Sequence, residues 1–290
     1  MMMTYPATLR ADLTVRSATE DDRRKLATLI HFSPYVHRHL DWRSPLDWLG
    51  AEPFLVAERD GQIMAALACP PDIPELTWIR LFAVSIAMDL DEAWETLWPV
   101  AQRLMAGRTP VAALPLQSWF RRILDVSHFD HTHDVMMLKW CDSGQSLKTK
   151  PCQPDYCIRP MSYDDLEAVH HLDVQAFSPV WQHSIDLLKI AFQEASLSTI
   201  AENRSGIVAY QISTVNGGSG HLARLAVHPE AQRIGVGYHL LQDILKNLRQ
   251  RGINQVTVNT QKNNQASLSL YDKAGFQPTG EVYPIYERSN

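Results

Sequence analysis

Apolar and polar residues alternate along the second half of the chain with two distinct periods. A strand is predicted where every second residue is apolar, and a helix where the period is near 3.6 residues. The predicted order is a strand at 156–160, helices between about 162 and 194, strands near 197–203, 207–215 and 220–227, a helix at 235–250, a strand at 254–260, a helix at 265–274 and a last strand near 281–287. Strands followed by alternating helices and strands predict an α/β fold in which helices cover a mixed sheet.

The segment 141–155 interrupts this patterning, because it is polar and rich in glycine, serine and proline. Such a composition is typical of a linker. A chain of 290 residues also exceeds one average domain of about 100–200 residues. We therefore predict two domains, at residues 1–145 and 151–290.

The two sides of this linker resemble each other. Three segments of the first half match three of the second in the same order: Val15–Asp22 with Ile158–Asp165, Ala57–Ala65 with Ala201–Ala209, and Leu81–Val84 with Arg224–Val227. The offsets are 143 (158 − 15), 144 (201 − 57) and 143 (224 − 81) residues. A nearly constant offset indicates a duplicated unit, so each half is expected to fold alike.

Composition and charge narrow the class of protein. Hydrophobic residues make up 45% and charged residues 20%, which is ordinary for a soluble globular protein and excludes a wholly disordered one. A formal net charge of -5 gives no basic field for a nucleic acid partner. No apolar run reaches the roughly 18 residues of a membrane span, so a cytoplasmic protein without membrane contact is predicted. The four cysteines are too few for a disulfide scaffold and are expected to be free thiols.

The most specific signal is a pair of glycines after a predicted strand. The strand ends at His228-Pro229, and Gly235 and Gly237 lie where the next helix begins. Glycines there allow a close approach, and the free amides and dipole of a helix start attract an anion. The segment therefore predicts a pyrophosphate site, although glycines used only for a tight turn would look the same. A dinucleotide site would need a third glycine where Leu240 stands, and the glycine-lysine-serine or threonine of a triphosphate loop is absent.

A second segment indicates which ligand carries the pyrophosphate. Gln232-Arg-Ile-Gly-Val-Gly237 together with Asn264-Gln-Ala-Ser-Leu-Ser-Leu-Tyr-Asp-Lys-Ala-Gly-Phe276 resembles the two signatures of the GNAT superfamily of acetyl-CoA-dependent N-acetyltransferases, with one alanine a place early. The resemblance covers about 155–288. With the repeat, it implies two tandem GNAT-like domains, each a mixed, mostly antiparallel sheet flanked by helices.

The resemblance implies a cofactor site and a reaction. Acetyl-CoA would be the co-substrate, and its acetyl group would pass directly to an amine in a ternary complex, without a covalent intermediate or a metal. The residues implied to bind it are Leu225, Ala226, Val227, Gln232, Arg233, Ile234, Gly235, Val236, Gly237, Tyr238 and Asn264. Tyr271 would protonate the departing thiolate, since phenols and thiols have comparable pKa values. A packed helix residue beside Leu268 and Leu270 is the alternative for Tyr271.

The acceptor side is less well defined. Phe177 and Trp181 lie in a segment that lines the acceptor site in the resembling family, or they simply close the core. Glu202, His221, a neighbour of Arg224 on an adjacent strand, or water would take the proton of the amine. Glu202 matches Glu58 of the first half and is equally a structural residue, and the alternative for His221 is a surface strand residue. The acceptor would be a small-molecule or peptide amine, such as a metabolite, an antibiotic, a polyamine or a protein N-terminus. The protein would be a monomer or a homodimer, and the alternative function is a non-catalytic acyl-CoA sensor.

The first half lacks the glycine signature. Ser85–Trp94 stands in its place, and Asp89, Asp91 and Glu92 would repel a pyrophosphate. We expect a degenerate copy that either completes the acceptor groove or binds a ligand of its own. A run of His128, Asp130, His131 and His133 follows, but on an exposed strand these side chains would alternate, so no metal is predicted.

Overall fold

The computed structural model describes residues 13–105, 110–144 and 155–288. Those residues form two compact units. The first comprises the described residues up to Phe129 together with Glu287 and Arg288, and the second runs from Asp130 to Tyr286. Within the described ranges, no helix is both long and apolar enough to cross a membrane.

The first unit contains a five-stranded sheet against which helices pack. Its elements are β1 (Thr14–Ser17), α1 (Arg23–Phe32), β2 (Tyr35–Arg38), β3 (Phe54–Arg59), β4 (Gln62–Ala68), β5 (Pro71–Ile73), β6 (Leu76–Trp78), β7 (Leu81–Val84), α2 (Leu90–Met105), β8 (Val111–Ala113) and α3 (Ser118–Val126). The sheet has the order β1-β3-β4-β7-β2. Helices α1 and α2 both contact β4. The residues that α1 buries include Leu26 and Ile30, which pack with Phe54 and Leu81 in one apolar cluster.

The second unit repeats this pattern and extends it. Its elements are β9 (Asp130–Cys141), β10 (Cys157–Pro160), α4 (Leu166–Ala176), α5 (Ile185–Glu194), β11 (Leu197–Asn203), β12 (Gly206–Asn216), β13 (Ser219–Val227), α6 (Val236–Gln250), β14 (Gln255–Gln261), α7 (Gln265–Lys273) and β15 (Gln277–Arg288). The strand order is β10-β11-β12-β13-β14-β9-β15. Strands β10 to β13 pair antiparallel, whereas β13 and β14 are parallel. The mixed sheet and the order of elements agree with the sequence-based prediction, and the element ends differ from it by at most a few residues.

The duplication is visible in matching ion pairs. Arg16 bonds Asp22 at 2.6 Å and Glu58 at 2.7 Å in the first unit. The matching residue of the second unit, Arg159, bonds Asp165 at 2.8 Å and Glu202 at 2.6 Å. Each copy also carries a β-bulge at the same place, just before Glu58 and just before Glu202. The two copies thus share their scaffold down to single side chains.

Strand β9 lies in the second unit, ahead of the polar segment. Its residues Val135–Cys141 pair antiparallel with the whole of β14. The division between the units therefore falls between Phe129 and Asp130, earlier than the predicted linker at 141–155, most of which lies outside the described residues. A polar, glycine-rich segment marks a break in secondary structure, but it does not tell which sheet the preceding strand joins.

The cysteines differ in part from the expectation of free thiols. Cys69 and Cys141 are free. Cys157 is disulfide-bonded, so the expectation is wrong for this residue. The count of cysteines argues against a disulfide scaffold, but it does not exclude a single bridge.

Candidate functional site

Strands β13 and β14 part from each other halfway along their length. Their parallel pairing covers Gly220–Leu222 against Val256–Val258. Beyond that point β13 continues to Val227 paired with β12 on its other side, and β14 continues to Gln261 paired with β9. The facing edges of the two strands thus present backbone groups that need other partners. An extended ligand inserted between the strands would supply them.

A cavity of about 820 Å³ opens at this gap. It is lined by the end of β13, the glycine turn before α6, the start and one face of α7, and the connection between α4 and α5. The residues named in the sequence analysis that line it are Phe177, Trp181, Leu225, Ala226, Val227, Gln232, Arg233, Gly235, Gly237, Tyr238 and Asn264. Those named there that are not part of the lining are Glu202, His221, Ile234, Val236 and Tyr271. Ile234 instead points to solvent with 59% of its surface exposed, and Val236 is buried.

The glycine turn has the backbone form of an anion site. Arg233 and Gly235 both have positive φ angles, 65° and 93°, and α6 begins directly after them. Left-handed residues in such a turn direct successive amides into one concavity, at the positive end of the helix dipole. Gly237 has an ordinary φ, but a Cβ added there would lie 3.2 Å from Val227 Cγ2. The turn itself explains Gly235, whereas the close approach of α6 to β13 explains Gly237.

Cations accompany this turn. Arg233 lines the cavity, and so does Lys273 from the last turn of α7. The ammonium group of Lys273 lies 4.6 Å from the centre of the Tyr238 ring. Two cations beside a concavity of amides suit a polyanion such as a pyrophosphate. Lys273 lies within the second signature segment, Asn264–Phe276, but its place in the cavity is visible only in the structure.

Asn264 occupies the N-cap of α7. Its Oδ1 accepts a hydrogen bond from the Ser267 amide at 3.0 Å, and its Nδ2 donates one to Gln261 Oε1 at 2.9 Å. This bonding explains an asparagine here through helix capping alone. Since Asn264 also lines the cavity, it is both a cap and a candidate ligand contact.

Tyr271 lies beside the cavity in the core. Its surface is only 5% exposed, and it packs in a cluster with Leu241 and Phe276. It follows Ser267 by one helical turn, so the two share a face of α7, and Ser267 does line the cavity. Burial raises the pKa of the Tyr271 phenol, which keeps it protonated at neutral pH.

Glu202 and His221 are engaged elsewhere. Glu202 bonds Arg159 in the same ion pair that Glu58 forms in the first unit. His221 Nδ1 lies 2.9 Å from Thr257 Oγ1, and burial lowers the pKa of its ring. The structure does not bring either residue into the lining of the cavity.

The end of the cavity opposite the glycine turn is aromatic. Trp181 and Phe177 line it, and His133 from β9 contacts the Trp181 ring edge-on at 5.7 Å between centroids. The guanidinium of Arg224 lies 3.9 Å above the centre of the Phe177 ring. Arg224 in turn pairs with the fully buried Asp173 at 2.6 Å.

Sequence reasoning did not single out His133, Arg224 or Asp173 for this site. His133 was considered only as part of a possible metal-binding run, and within the described ranges no group of three or more metal-ligating side chains converges. A signal for the other two does exist in the sequence. At the matching positions of the first half stand Leu81 and Ile30, so charged residues replace apolar ones at sites where the repeat expects a core.

Comparison with known proteins agrees with this geometry. The acetyltransferase (GNAT) family matches residues 166–276. The ribosomal protein bS18-alanine N-acetyltransferase of Escherichia coli (strain K12) is 26% identical over 119 residues, which cover 41% of this chain and 79% of that protein.

Solved structures match over the whole length. A tandem GNAT protein from the clavulanic acid biosynthesis pathway has a TM-score of 0.62 at 14% identity, covering 96% of this chain and 98% of that one. A GCN5-related N-acetyltransferase from Sphaerobacter thermophilus has a TM-score of 0.60 at 14% identity, covering 95% of both chains. Both likenesses concern the fold. The second unit therefore carries a segment of the acetyltransferase (GNAT) family, and the fold of the chain resembles that of tandem GNAT proteins.

Proposed function

We propose that the second unit binds acetyl-CoA in the gap between β13 and β14 and passes its acetyl group directly to an amine. The observation that carries this proposal is the parting of the two strands at a turn built for an anion. The amides from Arg233 to Tyr238 would hold the pyrophosphate, with the side chains of Arg233 and Lys273 beside it. Ile234 and Val236 would contribute through their backbone amides, because their side chains lie outside the cavity.

The backbone of Leu225, Ala226 and Val227 would position the rest of the cofactor. On the side that faces β14, these residues have no strand partner in the described register. Their free groups would bond the pantetheine arm, and an amide among them would stabilise negative charge on the acetyl oxygen. Asn264, which also lines the cavity, would contact the arm as well.

The chemistry is a direct substitution. The nitrogen of the neutral amine forms a bond to the acetyl carbon, the carbon–sulfur bond breaks, and the sulfur leaves as a thiolate that takes up a proton. We assign that proton to Tyr271, whose raised pKa keeps it in the acid form. The proton lost by the amine would pass to solvent or to His133, an imidazole that lines the cavity, unlike Glu202 and His221.

The acceptor would enter at the aromatic end, beside Phe177 and Trp181. Along β13, Arg224 contacts these aromatics and Val227 leads toward the glycine turn, so the two ends lie about 10 Å apart at roughly 3.3 Å per residue. An acetyl group between them would face the acceptor end while the pyrophosphate lay at the other.

The test is release of free CoA thiol from acetyl-CoA by the full chain in the presence of an amine panel. The panel holds benzylamine, spermidine, an aminoglycoside and a peptide with an N-terminal alanine, the last because the relative in Escherichia coli is named for that acceptor. Amine-dependent thiol release with acetylated product supports the proposal. Thermal stabilisation by CoA without turnover of any amine would favour an acyl-CoA sensor. The absence of both turnover and stabilisation by CoA would overturn the proposal.

A further inference from the structure

A buried ion pair stands behind the aromatic end of the cavity. Arg224 Nη2 donates to Asp173 Oδ1 at 2.8 Å and to Oδ2 at 2.6 Å, and Arg224 Nε donates to Oδ2 at 2.8 Å. The Tyr210 hydroxyl donates to the same carboxylate. Asp173 and Tyr210 have no exposed surface. Burial, and then the charge of Asp173, raise the pKa of the Tyr210 phenol, so it stays a donor.

This network holds the segment 177–183 through three contacts. Arg224 donates to the Trp181 carbonyl at 2.6 Å and stacks on the Phe177 ring. Asp173 accepts from the His183 amide at 3.1 Å. The two aromatic residues that line the cavity are therefore held through Arg224, and the end of their segment through Asp173.

In the described part of the first unit, apolar residues stand at the positions of this network. The strand registers place Ala66 where Tyr210 stands and Leu81 where Arg224 stands, and the helix offset of 143 (173 − 30) places Ile30 opposite Asp173. Ile30, Ala66 and Leu81 all belong to one apolar core cluster. The fold thus forms with apolar residues at these three positions.

Stability does not explain the exchange. A buried ion pair costs desolvation, and apolar residues of similar volume are often as stable or more so. What the charged network adds in the second unit is a set of directed bonds to the cavity wall. Arg224 also precedes Leu225 on β13, so the wall is fixed relative to the strand proposed to bind acetyl-CoA.

We propose that Asp173, Tyr210 and Arg224 are positioning residues that fix Phe177 and Trp181 as the wall of the acceptor site. The inference rests on the proposed function and deepens it. A preorganised wall lowers the entropy cost of acceptor binding without touching the reacting atoms.

The test transplants the apolar pair of the first unit. The double variant Asp173→Ile/Arg224→Leu leaves no unpaired buried charge and should fold, although the Tyr210 hydroxyl and the His183 amide lose Asp173 as an acceptor. For the panel amine with the highest kcat/KM, its KM should rise about tenfold, because two aromatic side chains must then be ordered on binding. The KM for acetyl-CoA should stay within about twofold. Hydrogen exchange at the amides of 177–183 should accelerate, above all at His183.

Matched variants keep the outcome interpretable. Arg159→Leu breaks the equivalent scaffold pair with Asp165 and should lower stability without raising the acceptor KM. Arg224→Lys keeps the charge but loses the fork and should lie between wild type and the double variant. If the double variant does not fold, Tyr210→Phe, which removes one bond to Asp173, should still raise the acceptor KM and the exchange rate.

Two results would overturn the inference. One is a folded double variant with an unchanged acceptor KM, and the other is unchanged exchange at 177–183. Absence of turnover in the wild type would instead count against the proposed function, and the exchange measurement would still test the network.

Discussion

Replacing Tyr271 by phenylalanine separates chemistry from packing at the proposed general acid. The ring is 5% exposed and lies 5.5 Å from the Phe276 ring, so most of its contribution is core packing. Phenylalanine keeps that packing and removes a single hydroxyl. We expect the free energy of unfolding to change by less than about 1 kcal/mol, within the range for one neutral hydrogen-bonding group.

The expected loss of rate follows from the pKa. General acid catalysis typically contributes about 100- to 10,000-fold. Burial raises the pKa of Tyr271, which makes it a weaker acid toward a thiolate than an ordinary phenol. Water entering an open cavity can also protonate the thiolate. We therefore expect kcat of Tyr271→Phe to fall by about ten- to a hundredfold, at or below the lower end of that range.

The measurement is steady-state thiol release with the best panel amine, together with calorimetric titration of acetyl-CoA. Affinity for acetyl-CoA should barely change, because a general acid acts in the transition state. Tyr238→Phe is the matched control, since Tyr238 lines the cavity and contacts Lys273. It should leave kcat near the wild-type value. Wild-type kcat in a folded Tyr271→Phe protein would refute the assignment and leave Tyr271 as a core residue.

Three further predictions concern the cofactor site and the first unit. Gly237→Glu should weaken acetyl-CoA binding at least a hundredfold by calorimetry, because a charged side chain would enter an anion site and press on Val227; unchanged affinity would reduce the glycine to a packing role. Asn264→Ala should cost about 1 kcal/mol of stability through the lost bond to Ser267. Asn264→Asp should keep the cap and the melting temperature but weaken acetyl-CoA binding. Wild-type affinity for acetyl-CoA in both variants would mean that Asn264 acts only as a helix cap. His37 is fully buried, and burial lowers its pKa from 6.5 to about 4. As the pH falls below 6.5, the unfolded chain therefore takes up a proton at this residue while the folded chain does not. The free energy of unfolding should decrease by about 3 kcal/mol between pH 6.5 and pH 4. Denaturant titrations at several pH values in this range give the free energy of unfolding at each pH. It should fall less with decreasing pH in His37→Gln than in the wild type, and an equal fall would disprove the assignment.

Local patterns were sufficient to predict most of the second unit. Strand β13 ends just before His228-Pro229, the turn before α6 requires a positive φ at Gly235, and α7 starts at an asparagine that caps it. Each of these features is decided by residues within a few positions of each other. The repeat added the long-range order, because a constant offset carries the strand pairing of one copy to the other.

Features decided between distant residues escaped the prediction. The place of β9 beside β14 joins residues more than a hundred positions apart, and nothing in 130–141 names its partner strand. In the sequence, His133 stands only in a histidine run for which no metal is predicted, and nothing there indicates that this part of β9 reaches a cavity. The pairing of Asp173 with Arg224 likewise spans a helix and a strand.

The two copies together separate scaffold from site. Arg16 and Arg159 make the same ion pairs in both units, so these pairs belong to the fold.

The helix that follows the third matched segment shows the opposite behaviour. In the second unit the turn before α6 holds Gly235, which has no side chain to cap the helix. In the first unit Asp89 precedes α2, and its Oδ1 accepts from the amides of Asp91 at 2.9 Å and Glu92 at 3.0 Å. The amides that a pyrophosphate would use are thereby satisfied internally, and the negative charge that suits the helix dipole is already in place. We infer that in the first copy the Asp89 carboxylate occupies the place that the second copy leaves open for the anion of a ligand.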